Sequence, residues 1–115
     1  MTFKSYVVGG ASIIEVDDYR LDNQNSEMVN KRLMEEIENK QENIIIDLKN
    51  VDFISSYGIG MLLAFNEKIK ERGGKLFLTS LTGNVGEIFT LSGILDMFKV
   101  FKSADAAVKI INKNG

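Results

Sequence analysis

The stretch "IIIDLKNVDFISSYGIGMLL", residues 44–63, decides how this chain is read. It opens on Ile44, Ile45 and Ile46, followed by Asp47 and Leu48. A short, nearly continuous apolar run lacks the alternation of a half-exposed strand. It reads as a strand covered on both faces, which is the habit of parallel sheets. Two serines, Ser55 and Ser56, and two glycines, Gly58 and Gly60, come next. Beyond them Ile59, Leu62, Leu63 and Ile69 sit at helical spacing, up to a stop at Gly73-Gly74. The chain therefore passes from a buried strand into a helix at a pair of serines.

Upstream, Tyr6-Val7-Val8 and Ser12-Ile13-Ile14-Glu15-Val16 are β-rich and flank Gly9-Gly10. That pair supplies the positive φ a tight primed turn needs, so the segment predicts a hairpin. Asp17 to Asn25 is polar and reads as loop. Ser26 is the expected N-cap of the next helix, with Glu27 in its first turn. Val29, Leu33 and Ile37 form its apolar stripe, while Lys31, Glu35, Glu38 and Lys40 fall on a solvated face, and the helix ends near Lys40.

Downstream, Lys75-Leu76-Phe77-Leu78-Thr79 predicts a strand. Thr82 caps a helix carrying Val85, Ile88 and Phe89, which Gly93 ends. Lys99-Val100-Phe101 forms a short last strand, and Ser103 caps a final helix with Asp105 in its first turn and Lys109 and Lys113 toward its end. The order is ββαβαβαβα. It predicts one α/β domain over residues 1–115, with a mixed, partly parallel sheet and amphipathic helices.

Composition excludes several function classes. The chain has 115 residues, 44% hydrophobic and 26% charged, with a net charge of −2. Acidic and basic residues are interspersed, which offers no electrostatic reason for nucleic acid or an anionic membrane as partner. There is no cysteine and no histidine. Disulfides, thiol catalysis, a Ser-His-Asp triad and histidine- or cysteine-ligated metals are therefore out of reach. No apolar run approaches the roughly 20 residues needed to span a bilayer, and Met1-Thr2-Phe3-Lys4-Ser5 lacks the features of a signal peptide. The expected compartment is the cytoplasm, no cofactor is expected, and the chain reads as a non-enzyme.

Four readings of the serine turn compete. In the first, Ser55 or Ser56 is simply an N-cap, and Gly58 and Gly60 let the helix start pack close to the sheet. The second is a phosphate-binding loop. No lysine follows Gly60, however, and Gly58-Ile59-Gly60 lacks the remaining glycines of a nucleotide fingerprint. Gly73-Gly74-Lys75 leads into a strand rather than a helix. The third, a nucleophile elbow, wants a glycine where Ile54 stands and a histidine base that the chain lacks. The fourth is a regulatory serine. A phosphate at a helix start adds about −1.5 to −2 charges at pH 7. The helix dipole tolerates that charge, so its effect falls on whatever docks there.

The residues Asp47-Leu48 and Val51 to Leu63 resemble the signature of the STAS domain, and more narrowly that of bacterial anti-sigma factor antagonists. That pattern is an apolar strand ending in Asp-Leu, a short loop, then Phe-Ile/Met-Asp/Ser-Ser-x-Gly-Leu/Ile-Gly leading into a helix. Arg20-Leu21-Asp22 and Asn25-Ser26 are similar to the family's segment before its first helix. Gly74-Lys75-Leu76 resembles its helix-to-strand passage, and Leu91-Ser92-Gly93-Ile94-Leu95 its late Leu-x-Gly-Leu element.

The resemblance implies a phospho-regulated binding module. Its unphosphorylated form binds an anti-sigma factor that is also a serine kinase with an ATP-binding fold, and so frees a sigma factor. Phosphorylation of the motif serine ends the interaction, and a serine phosphatase restores it. The acceptor carries over to Ser56. The implied contact surface is the edge around it: Ile54, Ser55, Tyr57, Gly58 and Ile59, with Asp22 and Asn25 on neighbouring loops. Met61 is expected in the core. Ser55 stands where the family often has aspartate, Tyr57 is bulkier than the usual residue, and Arg20 stands before Leu21 where glycine is frequent. The alternatives are a STAS scaffold or regulatory module without sigma-factor switching, in which the serine is only a cap, and a direct nucleotide binder.

Overall fold

Gly9 and Gly10, at φ of 54° and 80°, reverse the chain between β1 (Phe3–Val8) and β2 (Ala11–Val16). The two strands pair antiparallel, with Val8 opposite Ala11 and Phe3 opposite Val16. The computed structural model describes residues 3–114. After the hairpin the order is β3 (Arg20–Leu21), α1 (Ser26–Glu38), β4 (Asn43–Asp47), β5 (Phe53–Ile54) and α2 (Ser56–Glu71). Then follow β6 (Lys75–Thr79), α3 (Gly83–Leu91), a short 3-10 turn at Leu95–Met97, β7 (Lys99–Phe101) and α4 (Ala104–Asn114).

The main sheet runs β1-β2-β4-β6-β7. Only the β1–β2 pair is antiparallel; β4, β6 and β7 join in parallel, as the continuous apolar runs predict. Ile44, Ile45 and Ile46 are all fully buried. Strand alternation sends Ile44 and Ile46 to one face and Ile45 to the other. Ile44 and Ile46 pack with Ile14, Val16, Leu76 and Leu78 against Val29 and Leu33 of α1, Leu62 and Phe65 of α2, and Val85 and Phe89 of α3. Ile45 lies with Ala11, Ile13 and Phe77 under Ala107, Val108 and Ile111 of α4. One face thus carries three helices and the other a single one. Each parallel connection crosses over the same face, which keeps all three crossovers of one hand.

Three expectations change. The polar segment 17–25 is not all loop. Arg20–Leu21 pairs in parallel with Phe53–Ile54 as a separate two-stranded ribbon. A pair this short is set by its backbone partners and leaves no periodicity to read. Ser26 is not the cap of α1. Asn25 occupies that position, and Ser26 is the first helical residue, fully buried. The helix also ends at Glu38, with Lys40 already at φ 60°. The caps expected at Thr82 and Ser103 are present: their hydroxyls accept from Val85 N–H at 3.5 Å and Ala106 N–H at 3.1 Å.

Phe65 of α2 is among the largest fully enclosed side chains, at 1% exposure. Phe65→Ala should lower the unfolding free energy by about 3–5 kcal/mol. Urea denaturation followed by circular dichroism checks this, with the slope against urea unchanged.

Candidate partner-docking site at the start of α2

The serine pair divides its work. Ser55 has extended backbone (φ −89°, ψ 170°) and its hydroxyl oxygen accepts the N–H of Gly58 at 3.3 Å. That is N-cap geometry, worth about 0.5–2 kcal/mol against alanine. Ser56 is the first residue of α2 and is exposed. Ser55 is spent on the helix, so Ser56 is the exposed hydroxyl of the two.

The turn is clamped from both sides. Tyr19 C=O accepts the N–H groups of Asp52 and Phe53 at 2.7 and 3.1 Å, and Leu21 C=O accepts that of Ser55 at 3.0 Å. A Cβ added at Gly58 would stand 2.6 Å from the same Leu21 oxygen and 3.0 Å from Ile54. Gly58 is therefore required by close approach. On the other side, Thr82 hydroxyl donates to Val51 C=O at 3.0 Å, and Asn84 Nδ2 donates to Asp52 Oδ1 at 3.1 Å. These bonds tie the loop before β5 to the start of α3.

The β3 loop is braced by Asn25, which is buried at 6% exposure. Its Oδ1 accepts Asp22 N–H at 2.9 Å, and its Nδ2 donates to Arg20 C=O at 2.7 Å. Asp22 in turn accepts Gln24 N–H at 2.9 Å and pairs with Arg20 Nε at 3.3 Å. Asn25 contributes no side-chain bond to the N–H groups of α1.

One recess adjoins Ser56 and a second adjoins Phe53. A groove of about 520 Å³ lies between the starts of α1 and α2, lined by Ser26, Glu27 and Asn30 on one wall and Ser56, Tyr57, Gly60, Met61 and Ala64 on the other. A second of about 420 Å³ lies between β5 and α3, where Phe53 and Leu91 meet Asp52, Asn84, Glu87 and Ile88. Tyr57 is 56% exposed, Phe53 48% and Leu91 78%. Large exposed apolar side chains of this kind are characteristic of contact surfaces. Among the described residues no group of three or more carboxylates is placed to hold a metal ion. Burial, and then the charges of Glu15 and Asp47, raise the Tyr6 hydroxyl. Tyr6 pairs with Ile13 on β2 and lies outside both recesses.

A family model described as STAS domain matches residues 3–107. The chain belongs to the STAS domain family. The Bordetella bronchiseptica protein BtrV, whose name describes an anti-sigma factor antagonist, is 31% identical over 83 residues, 72% of each chain. The anti-sigma F factor antagonist of Paenibacillus polymyxa is 29% identical over 82 residues, 70% of each. The Bacillus cell fate determinant SpoIIAA, solved in its phosphorylated form, shares the fold. Its TM-score is 0.71 at 18% identity, over 94% of this chain and 98% of that one. No described helix is long and apolar enough to cross a membrane.

Against this STAS framework the expected contact residues separate into two layers. Ser56 and Tyr57 are exposed, and Ser55 and Ile59 are partly so. Ile54, at 2% exposure, is in the core, and Gly58 is buried under Leu21. Asn25 is likewise enclosed, and Asp22 is bound up in its loop. Three of these four are buried, and Asp22 is half-buried. Met61, expected in the core, is half-buried and lines the α1–α2 groove. Phe53 and Leu91 escaped the sequence reading. Their signal is phase: Leu91 falls off the 85-88-89 stripe of α3, and Phe53 alternates with buried Ile54.

The two glycines of the motif now differ. Gly60 has nothing within 4 Å of its would-be Cβ, so the expectation that it packs on the sheet does not hold. Gly60→Ala should stabilise the protein by about 0.5–1 kcal/mol, because glycine inside a helix costs that much relative to alanine. Gly58→Ala should destabilise it by about 1–3 kcal/mol through the clash with a backbone oxygen. Paired denaturation curves would show opposite signs; equal signs would discard this account of the motif.

Proposed function

We propose that this chain is an anti-sigma factor antagonist, a binding module without catalytic activity, and that Ser56 is its phosphoacceptor. Its unphosphorylated form engages an anti-sigma factor that is also a serine kinase with an ATP-binding fold, which releases a sigma factor. Phosphate on Ser56 ends that engagement, and a serine phosphatase resets it. The reading places these partners with it in the cytoplasm, with no cofactor. The division of labour between the serines carries the proposal: Ser55 is committed to the Gly58 N–H, and Ser56 is exposed on a turn clamped from both sides. The names of the two similar proteins support the same role.

The physics of the modification fits a docking switch. The added charge of about −1.5 to −2 sits at a helix start, where the dipole favours it. The clamp leaves the turn little freedom to rearrange around the phosphate. Its bulk and hydration therefore act on the partner, at a surface that otherwise presents Tyr57 and Phe53.

Incubation of the purified protein with its host's anti-sigma factor kinase and ATP, followed by mass spectrometry, tests the assignment. Phosphate should map to Ser56 and be absent from Ser56→Ala, while Ser55→Ala remains a substrate. Ser56→Ala should hold the kinase in the presence of ATP where the wild type lets go. Ser56→Asp should fold normally and bind at least about tenfold more weakly, which is about 1.4 kcal/mol. Phosphate on Ser55, or tight binding by Ser56→Asp, would sink the proposal.

A further inference from the structure

The two edges of the main sheet are built differently. A bare edge strand is a template for another strand, and proteins blunt such edges with short strands, lysines, prolines, bulges or a cover. β7 is three residues long and carries Lys99 at its start, with Lys102 just beyond its end. β1 is six residues long, pairs with β2 without a bulge, and holds no proline and a single charge, Lys4. Lys4 to Val8 are all exposed, Val7 at 65%. Among the described residues no main-chain hydrogen bond reaches β1 except from β2.

The hairpin turn sets which backbone groups of β1 face outward. Gly9 and Gly10 both have positive φ, the pattern of a two-residue primed turn, so Val8 and Ala11 close the hairpin as a hydrogen-bonded pair. Bonding then alternates along an antiparallel pair. Val8, Tyr6 and Lys4 bond to β2, and the N–H and C=O groups of Phe3, Ser5 and Val7 point away from it. Side chains alternate between faces as well. Ser5 projects toward α1, where its hydroxyl accepts from Arg32 Nη2 at 3.0 Å. Phe3 and Val7 share that face, and Lys4 and Tyr6 take the other.

We propose that β1 pairs antiparallel with β1 of a second copy of this chain, Ser5 opposite Ser5, so that two sheets become one across a two-fold axis. In this register all the outward groups of the strand meet: Phe3 bonds with Val7, Ser5 with Ser5 and Val7 with Phe3. A shift toward the N-terminus sets Lys4 against Lys4, like charges directly opposite. A shift toward the turn leaves Phe3 beyond the end of the opposing strand. The side chains agree with the backbone. Val7 meets Phe3 on one face, and Lys4 meets the Tyr6 ring on the other, an aromatic partner for a cation. Ser5 keeps its hydroxyl hydrogen to donate across the axis, and the Arg32 charge beside it is held by Glu36 at 2.6 Å. Identical strands paired this way are self-complementary, which is what a two-fold dimer requires. One strand pair buries little area, so association is weak, with a Kd on the order of 10–100 μM. No residue of β1 lines either recess near the serine turn, so the pairing is independent of the function proposed above.

Sedimentation equilibrium of the purified protein, from about 10 μM to about 1 mM, tests this. The average mass should rise from monomer toward dimer across that range. Val7→Lys, at a side chain with little to lose in the fold, should weaken association about tenfold or more while thermal unfolding stays near that of the parent. The chain has no cysteine, so single cysteines report proximity without background. Ser5→Cys lies on the axis, where facing Cα atoms are about 5.5 Å apart, and should form an intermolecular disulfide under mild oxidation. Lys99→Cys, on the other edge, should not. A monomer throughout the range overturns the proposal. So does a dimer that Val7→Lys leaves intact, or one that Lys99→Cys cross-links and Ser5→Cys does not.

Discussion

The carbonyl of Leu21 is the point on which the serine turn depends. It accepts the N–H of Ser55 at 3.0 Å and stands 2.6 Å from where a side chain at Gly58 would begin. One oxygen thereby fixes where β5 ends, where α2 starts and which residue can follow the serines. Ser55 can cap Gly58 only because the backbone between them is held in this place. Asn25 holds the same loop from behind through Arg20 C=O. The position of the Ser56 hydroxyl is therefore the outcome of a chain of contacts that begins at β3.

The sheet explains why such a turn lies at an accessible edge. The parallel strands β2, β4 and β6 all run toward the same end, and the helices that follow start there. Helix starts carry unpaired N–H groups and a partial positive charge. α/β proteins use this edge for small ligands and phosphates. Here the strands deliver a hydroxyl, aromatic side chains and a groove between two helices to that edge.

Much of this was legible in the chain. Continuous apolar runs identify β4 and β6, since strands covered on both faces need no polar side, and the 3.6-residue stripes identify α1, α2 and α3. Thr82 and Ser103 cap where composition says they should. What was not legible is short or relative. β3 and β5 are two residues each, too brief for a period. Whether Ser55 or Ser56 caps is a matter of ψ and one hydrogen bond, not of residue type. Asn25 stands at the N-cap position expected of Ser26, with its side chain bonded to Arg20 C=O and Asp22 N–H rather than to the helix. Ile54 looks like a surface residue by its place in the motif and is buried by its place in the ribbon.

The lone helix α4 on the second face has a consequence for how the molecule breathes. Ala107, Val108 and Ile111 are the cover over Ile13, Ile45 and Phe77, whereas the opposite face shares its burden among three helices. Peeling away one terminal helix uncovers a smaller cluster than opening the crowded side would, so α4 is expected to open at lower cost than α1, α2 or α3. That helix lies across the sheet from Ser56. A loosening of α4 therefore leaves the cluster beneath the serine turn packed.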